Sequence, residues 1–101
     1  MLKIAICDDE KKFCDSAERM LNLYMEDKGL QFQVDVFNVP SELVDMTEKG
    51  TIYDIYLLDI YMPGVTGMSI ATELRSRGVK SPIIFLTSST DHALQAFGVD
   101  A

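Results

Sequence analysis

The stretch LLDIYMPGVTG, Leu57 to Gly67, sets one carboxylate at the end of an apolar run and a Pro-Gly break four residues after it. An ionised aspartate behind Ile55, Tyr56, Leu57 and Leu58 is costly to desolvate unless something pairs with it. Asp59 therefore either caps the strand end or stands at a pocket for a cation or a reactive group. No helix pattern starts directly after it, so capping explains it poorly.

Working outward, Leu2 to Cys7 is a short β-leaning run stopped by Asp8-Asp9-Glu10. Phe13, Ala17, Met20, Leu21 and Tyr24 then recur at helical spacing and predict one apolar helix face, with Gly29 as its stop. Phe32, Val34 and Val36 alternate with Gln33 and Asp35, as in an edge strand. Asn38 and Pro40 open a second helix marked by Leu43, Val44 and Met46 and closed by Gly50. Ile55 to Leu58 is a third strand. Met68, Ala71 and Leu74 mark a third helix that ends at Gly78. Pro82 to Leu86 is a fourth strand, followed by the polar run Thr87 to Thr90 and a fourth helical pattern in Ala93, Leu94 and Phe97.

Strand and helix alternate throughout, and the central strands are apolar on both faces. That pattern predicts an α/β fold with a doubly wound parallel sheet. With 101 residues, the chain is one domain, and 48% hydrophobic with 25% charged residues is the balance of a soluble one. A net charge of -7 argues against nucleic-acid or anionic-membrane binding by this stretch. No run has the length of a spanning helix or a signal-peptide core. Cys7 and Cys14 lie in no metal-ligand spacing and read as reduced, core-type residues of a cytoplasmic protein; a redox pair is the alternative.

In such sheets the ligand sits outside the carboxyl ends of the strands. The first strand ends in Asp8-Asp9-Glu10, the third in Asp59 and the fourth in Thr87. If the first and third strands are neighbours, their carboxylates converge, and two like charges about 4 Å apart repel by roughly 4 kcal/mol at an effective dielectric near 20. Such a cluster protonates or binds a cation. Hard oxygens with room for water select Mg²⁺ or Mn²⁺. The plainer readings are that Asp8 or Asp9 caps the first helix and that a residue of Thr87 to Asp91 caps the fourth. His92 belongs on a solvent face, and the methionines read as core filling, with Met62 at the rim of the site.

Asp8-Asp9-Glu10, Asp59, Met62-Pro63-Gly64, Gly67 and Thr87 together resemble the receiver domain of bacterial two-component response regulators. The tail from Phe85 to Phe97 further resembles receivers attached to LytTR-type DNA-binding domains. The resemblance implies a flavodoxin-like sheet of order 2-1-3-4. It implies that Asp59 is the phosphoacceptor for a sensor histidine kinase, not the centre of an enzyme. Asp8, Asp9, Asp59 and the Tyr61 backbone carbonyl become the Mg²⁺ ligands, and Thr87 becomes the hydroxyl that bonds the phosphoryl group. An output domain, DNA-binding in transcriptional regulators, is the implied partner.

A receiver has a fifth strand, ending in a lysine, and a fifth helix. Their absence here gives the expectation that residues 1–101 are a C-terminally incomplete receiver that self-associates along its exposed fourth strand. An aspartyl phosphatase needs a second aspartate two residues after the nucleophile, where this chain has Tyr61. A flavin phosphate loop would have to tolerate Asp8-Asp9-Glu10. A receiver-like interaction module that takes no phosphate is the remaining alternative.

Overall fold

A computed structural model describes residues 1–62 and 64–86. Thr87, His92, the fourth helical pattern and the LytTR-like tail beyond Leu86 lie outside the described residues. The elements run β1 (Leu2–Cys7), α1 (Lys11–Lys28), β2 (Phe32–Phe37), α2 (Pro40–Glu48), β3 (Ile55–Asp59), β4 (Tyr61–Met62), β5 (Val65–Thr66), α3 (Gly67–Ser76) and β6 (Ile83–Leu86).

The main sheet has the order β2-β1-β3-β6, the expected 2-1-3-4 when the four long strands alone are numbered. All three of its pairings are parallel, with Ile6 opposite both Val36 and Leu57, and Asp59 opposite Leu86. β1 is bonded on both sides, and Ile4 to Cys7 are fully buried. That explains its unbroken apolar run.

Alternate residues of the sheet feed two cores. Ile4, Ile6 and Leu57 pack with Cys14 and Met25 of α1 on one face. Ala5, Cys7, Tyr56 and Leu58 pack with Leu43 of α2 and Ile70, Ala71 and Leu74 of α3 on the other. β2 is an edge strand, yet its alternation is imperfect: Phe32 and Val34 pack toward α1, Val36 is exposed, and Phe37 turns into the opposite core.

The face that α1 buries overlaps only in part the one its spacing predicts: Ala17 and Leu21 pack against the core. Phe13, Met20 and Tyr24 are exposed, Met20 to 71%. The buried line is Cys14, Ala17, Leu21 and Met25, about 60° further round the helix. Apolar residues occupy both stripes, so periodicity alone fits either one. The methionines are accordingly not all core filling, since Met62 is buried while Met20 is not.

Gly29 ends α1 in the left-handed region (φ 68°), as the sequence predicts. Between β3 and α3, Tyr61–Met62 and Val65–Thr66 form a small antiparallel ribbon. It carries Met62 off the rim and into the core, with its sulfur 3.8 Å from the Cys7 thiol.

Candidate functional site

β1 and β3 are neighbours in the sheet, so their carboxyl ends lie side by side. Carboxylate oxygens of Asp8, Asp9 and Asp59 come within 4.8 Å of one another. Asp8 is only 3% exposed, Asp59 half-buried and Asp9 exposed. The cluster therefore has a buried floor and an open side.

Neither Asp8 nor Asp9 caps α1. Glu10 is the N-cap and makes no side-chain cap bond. Asp8 Oδ1 instead accepts the Glu10 N–H at 2.9 Å, a local turn that fixes the carboxylate before the helix begins. Asp59 Oδ1 accepts the Tyr61 N–H at 3.3 Å, so the backbone beyond β3 curls back toward the acid.

Burial is the main cause that pushes the Asp8 carboxyl up to about 6, and the charges of Asp59, Asp9 and Glu10 add to it against the Glu10 N–H bond. Asp59 is likewise raised, first by burial and then by Asp9 and Glu10, while the Tyr61 N–H pulls the other way. Lys11–Asp15 and Arg77–Glu73 form exposed salt bridges, and neither includes a carboxylate of the cluster. Three crowded carboxylates, one of them nearly buried, are the donor set that a hard divalent cation satisfies. The residues fit Mg²⁺.

The structure thus brings Asp8, Asp9 and Asp59 together, with Tyr61 bonded to Asp59 through its N–H. Leu86 is paired with Asp59 in the register, and the next residue, Thr87, lies beyond the described part. Cys7 and Cys14 are buried free thiols. Burial raises Cys7 to about 12 and Cys14 to about 11, which makes both poor nucleophiles.

Two features of the site escape the sequence pattern. Gly67 N–H donates to the Ile60 carbonyl at 2.8 Å, which pins the start of α3 beneath the end of β3. Asn38, read as a helix opener, does not cap α2. The N-cap is Val39, and the Asn38 amide reaches back to the Asp8 carbonyl at 3.1 Å. Its only sequence signal was an amide side chain in the turn after an edge strand.

Residues 4–101 match the family described as response regulator receiver domain. The transcriptional regulatory protein DltR of Streptococcus agalactiae is 29% identical over 99 residues, which are 98% of this chain and 41% of that protein. PcoR of Escherichia coli is 33% identical over 88 residues, 87% of this chain and 36% of that protein. The chain therefore spans less than half the length of these curated relatives. The solved receiver domain of the Francisella response regulator 1452 superposes with a TM-score of 0.71 at 23% identity, over 98% of this chain and 78% of that one. With the family match running over nearly its whole length, this chain belongs to the response regulator receiver domains.

Proposed function

We propose that Asp59 accepts a phosphoryl group from a phosphohistidine of a sensor kinase, and that the resulting state is passed to an output domain. The convergence of Asp8, Asp9 and Asp59 at the ends of adjacent parallel strands carries this reading. An Asp59 carboxylate oxygen attacks phosphorus in line, the P–N bond breaks, and the imidazole leaves with the bonding pair. The product is an acyl phosphate on Asp59.

A carboxylate is a serviceable nucleophile only when ionised and aimed, and the Tyr61 N–H bond both holds and favours the ionised form. Asp8, Asp9, Asp59 and the Tyr61 carbonyl would hold Mg²⁺, or Mn²⁺ with the same donors, and the ion supplies positive charge against the transferring oxygens. Thr87 is assigned the hydroxyl that bonds the phosphoryl group. The glycine turn at Gly64 (φ 79°) lets backbone approach that group without a Cβ in the way.

The names of the curated relatives support a transcriptional output. We assign a DNA-binding domain of LytTR type as the output and the cytoplasm as the location. The acidic segment itself has no charge suited to DNA. Among the described residues no helix is long and apolar enough to cross a membrane.

Intact mass after incubation with acetyl phosphate and Mg²⁺ tests the assignment. One added phosphoryl group is expected, absent with EDTA and absent in Asp59→Asn. An adduct that persists in Asp59→Asn overturns it.

A further inference from the structure

The Asp8 peptide is held at both of its polar groups by residues outside β1. Its N–H donates to the Phe37 carbonyl at 3.1 Å, which extends the β1–β2 ladder by one rung. Its carbonyl accepts the Asn38 Nδ2 at 3.1 Å and the Cys14 thiol at 3.4 Å. Asn38 Nδ2 also lies 3.4 Å from the Cys14 sulfur, so the three groups close a small polar triangle. The end of β1, the turn after β2 and the first turns of α1 meet at this one carbonyl.

A holding device is needed there. Three carboxylates within 4.8 Å of one another repel, and the repulsion acts to swing the 8–9 segment away from β3. Asp9 is exposed, so packing does little to hold it. Backbone hydrogen bonds on either side of Asp8 resist that rotation and add no bond to its carboxylate, whose Oδ1 already accepts the Glu10 N–H.

We propose that Asn38 is a positioning residue for the acidic site: by clamping the Asp8 carbonyl it fixes the Asp8–Asp9 peptide and keeps both carboxylates turned toward Asp59. The inference rests on the cation reading of the cluster. Asn38 touches no metal and no phosphoryl group, and its effect passes entirely through the backbone of Asp8. Cys14 is its accessory, a short buried donor at the same oxygen.

Loss of an outer partner that orients a metal ligand typically costs ten- to a hundredfold in metal affinity. For Asn38→Ala we expect about a tenfold weaker Mg²⁺ response, at the low end because Cys14 remains. The measurement is a Mg²⁺ titration of the phosphate-free protein followed by backbone amide NMR, with ¹⁵N relaxation recorded at Asp9 and Glu10 before any metal is added. Asn38→Ala should loosen these two amides in the metal-free protein and shift the titration. Val39→Ala, a neighbour with no contact to Asp8 of this kind, should do neither. Asn38→Ser carries the same expectation if the alanine variant folds poorly, because its hydroxyl lies one bond short of the amide nitrogen. A wild-type protein that gives no Mg²⁺ response at Asp8, Asp9 or Asp59 refutes the cation reading and the inference built on it. A normal wild-type response that Asn38→Ala or Asn38→Ser leaves unchanged, with Asp9 and Glu10 as rigid as before, refutes the clamp alone.

Discussion

Gly67 lies directly against Asp59: a Cβ on it would overlap the Asp59 carbonyl, with that carbonyl's carbon only 2.8 Å away. The obstacle is backbone, which cannot turn aside as a side chain does. Gly67→Ala should therefore displace the end of β3 or the start of α3 and cost about 1–3 kcal/mol, the range of an overpacked interior. Phosphoryl labelling of Asp59 should fall with it. Gly64→Ala makes the contrast: its position is open, so its cost is the left-handed backbone alone, about 1–2 kcal/mol. Urea unfolding of the two variants separates steric displacement from backbone strain.

The acidic cluster sets a pH dependence. Asp8 has its folded pKa near 6 against an ordinary value of 3.8, so over that interval the native state keeps a proton that the unfolded chain has released. The stability owed to this group is complete below 3.8 and is lost as pH rises through 6. Replacing Asp8 with Asn should flatten that descent. Thermal unfolding of the two proteins across the interval, in EDTA, reads the difference.

Mg²⁺ should reverse the same loss. At neutral pH a concentration ten times its dissociation constant adds about 1.4 kcal/mol of stability. Below pH 6 the proton competes for the Asp8 oxygens, and the affinity should fall by up to about tenfold per pH unit. An Mg²⁺ stabilisation that is independent of pH, or that survives in Asp8→Asn undiminished, contradicts the arrangement. Asp15→Asn, on the exposed surface of α1, should leave it unchanged.

Tyr53 offers a test of the fold apart from the site. Its hydroxyl donates to Asp35 Oδ2 at 2.7 Å, and its ring meets Phe37 and Tyr56 edge-on. Burial, followed by the Asp35 contact, raises its pKa well above the ordinary range. Tyr53→Phe should cost about 1.5–3 kcal/mol, as a hydrogen bond to a charged group does, with the Mg²⁺ response intact.

The two stripes of α1 are separable by substitution. Met25→Ala, at a position 4% exposed, should cost about 2–5 kcal/mol. Met20→Ala should stay within about 0.5 kcal/mol. Equal costs would restore the face that the spacing alone predicts.

That helix shows where sequence reasoning stops. The strands were legible because burial on both faces leaves nearly unbroken apolar runs, and the helix ends were legible because a left-handed residue favours glycine. The acids of the site stood out as charges directly behind such runs. The direction in which α1 rolls was not legible, since two adjacent stripes were both apolar and only the fit against β1 and β2 chooses between them. The ribbon of Tyr61–Met62 with Val65–Thr66 is too short for any period to register. Asn38 was legible as a turn residue, but its bond to Asp8 spans 30 positions and depends on the β1–β2 pairing.

The chain leaving β1 passes from fully buried Cys7 through Asp8, 3% exposed, to exposed Asp9 within three residues. So steep a gradient sets the entropy of binding. Ordering a free backbone residue costs about 1–2 kcal/mol, and for Cys7 and Asp8 that cost is already met when the sheet forms. A ligand entering from the open side has little beyond Asp9 and its water left to immobilise. Binding should then carry only a small conformational-entropy penalty, and the fast backbone order of β1, read by ¹⁵N relaxation, should be nearly the same with and without the ion.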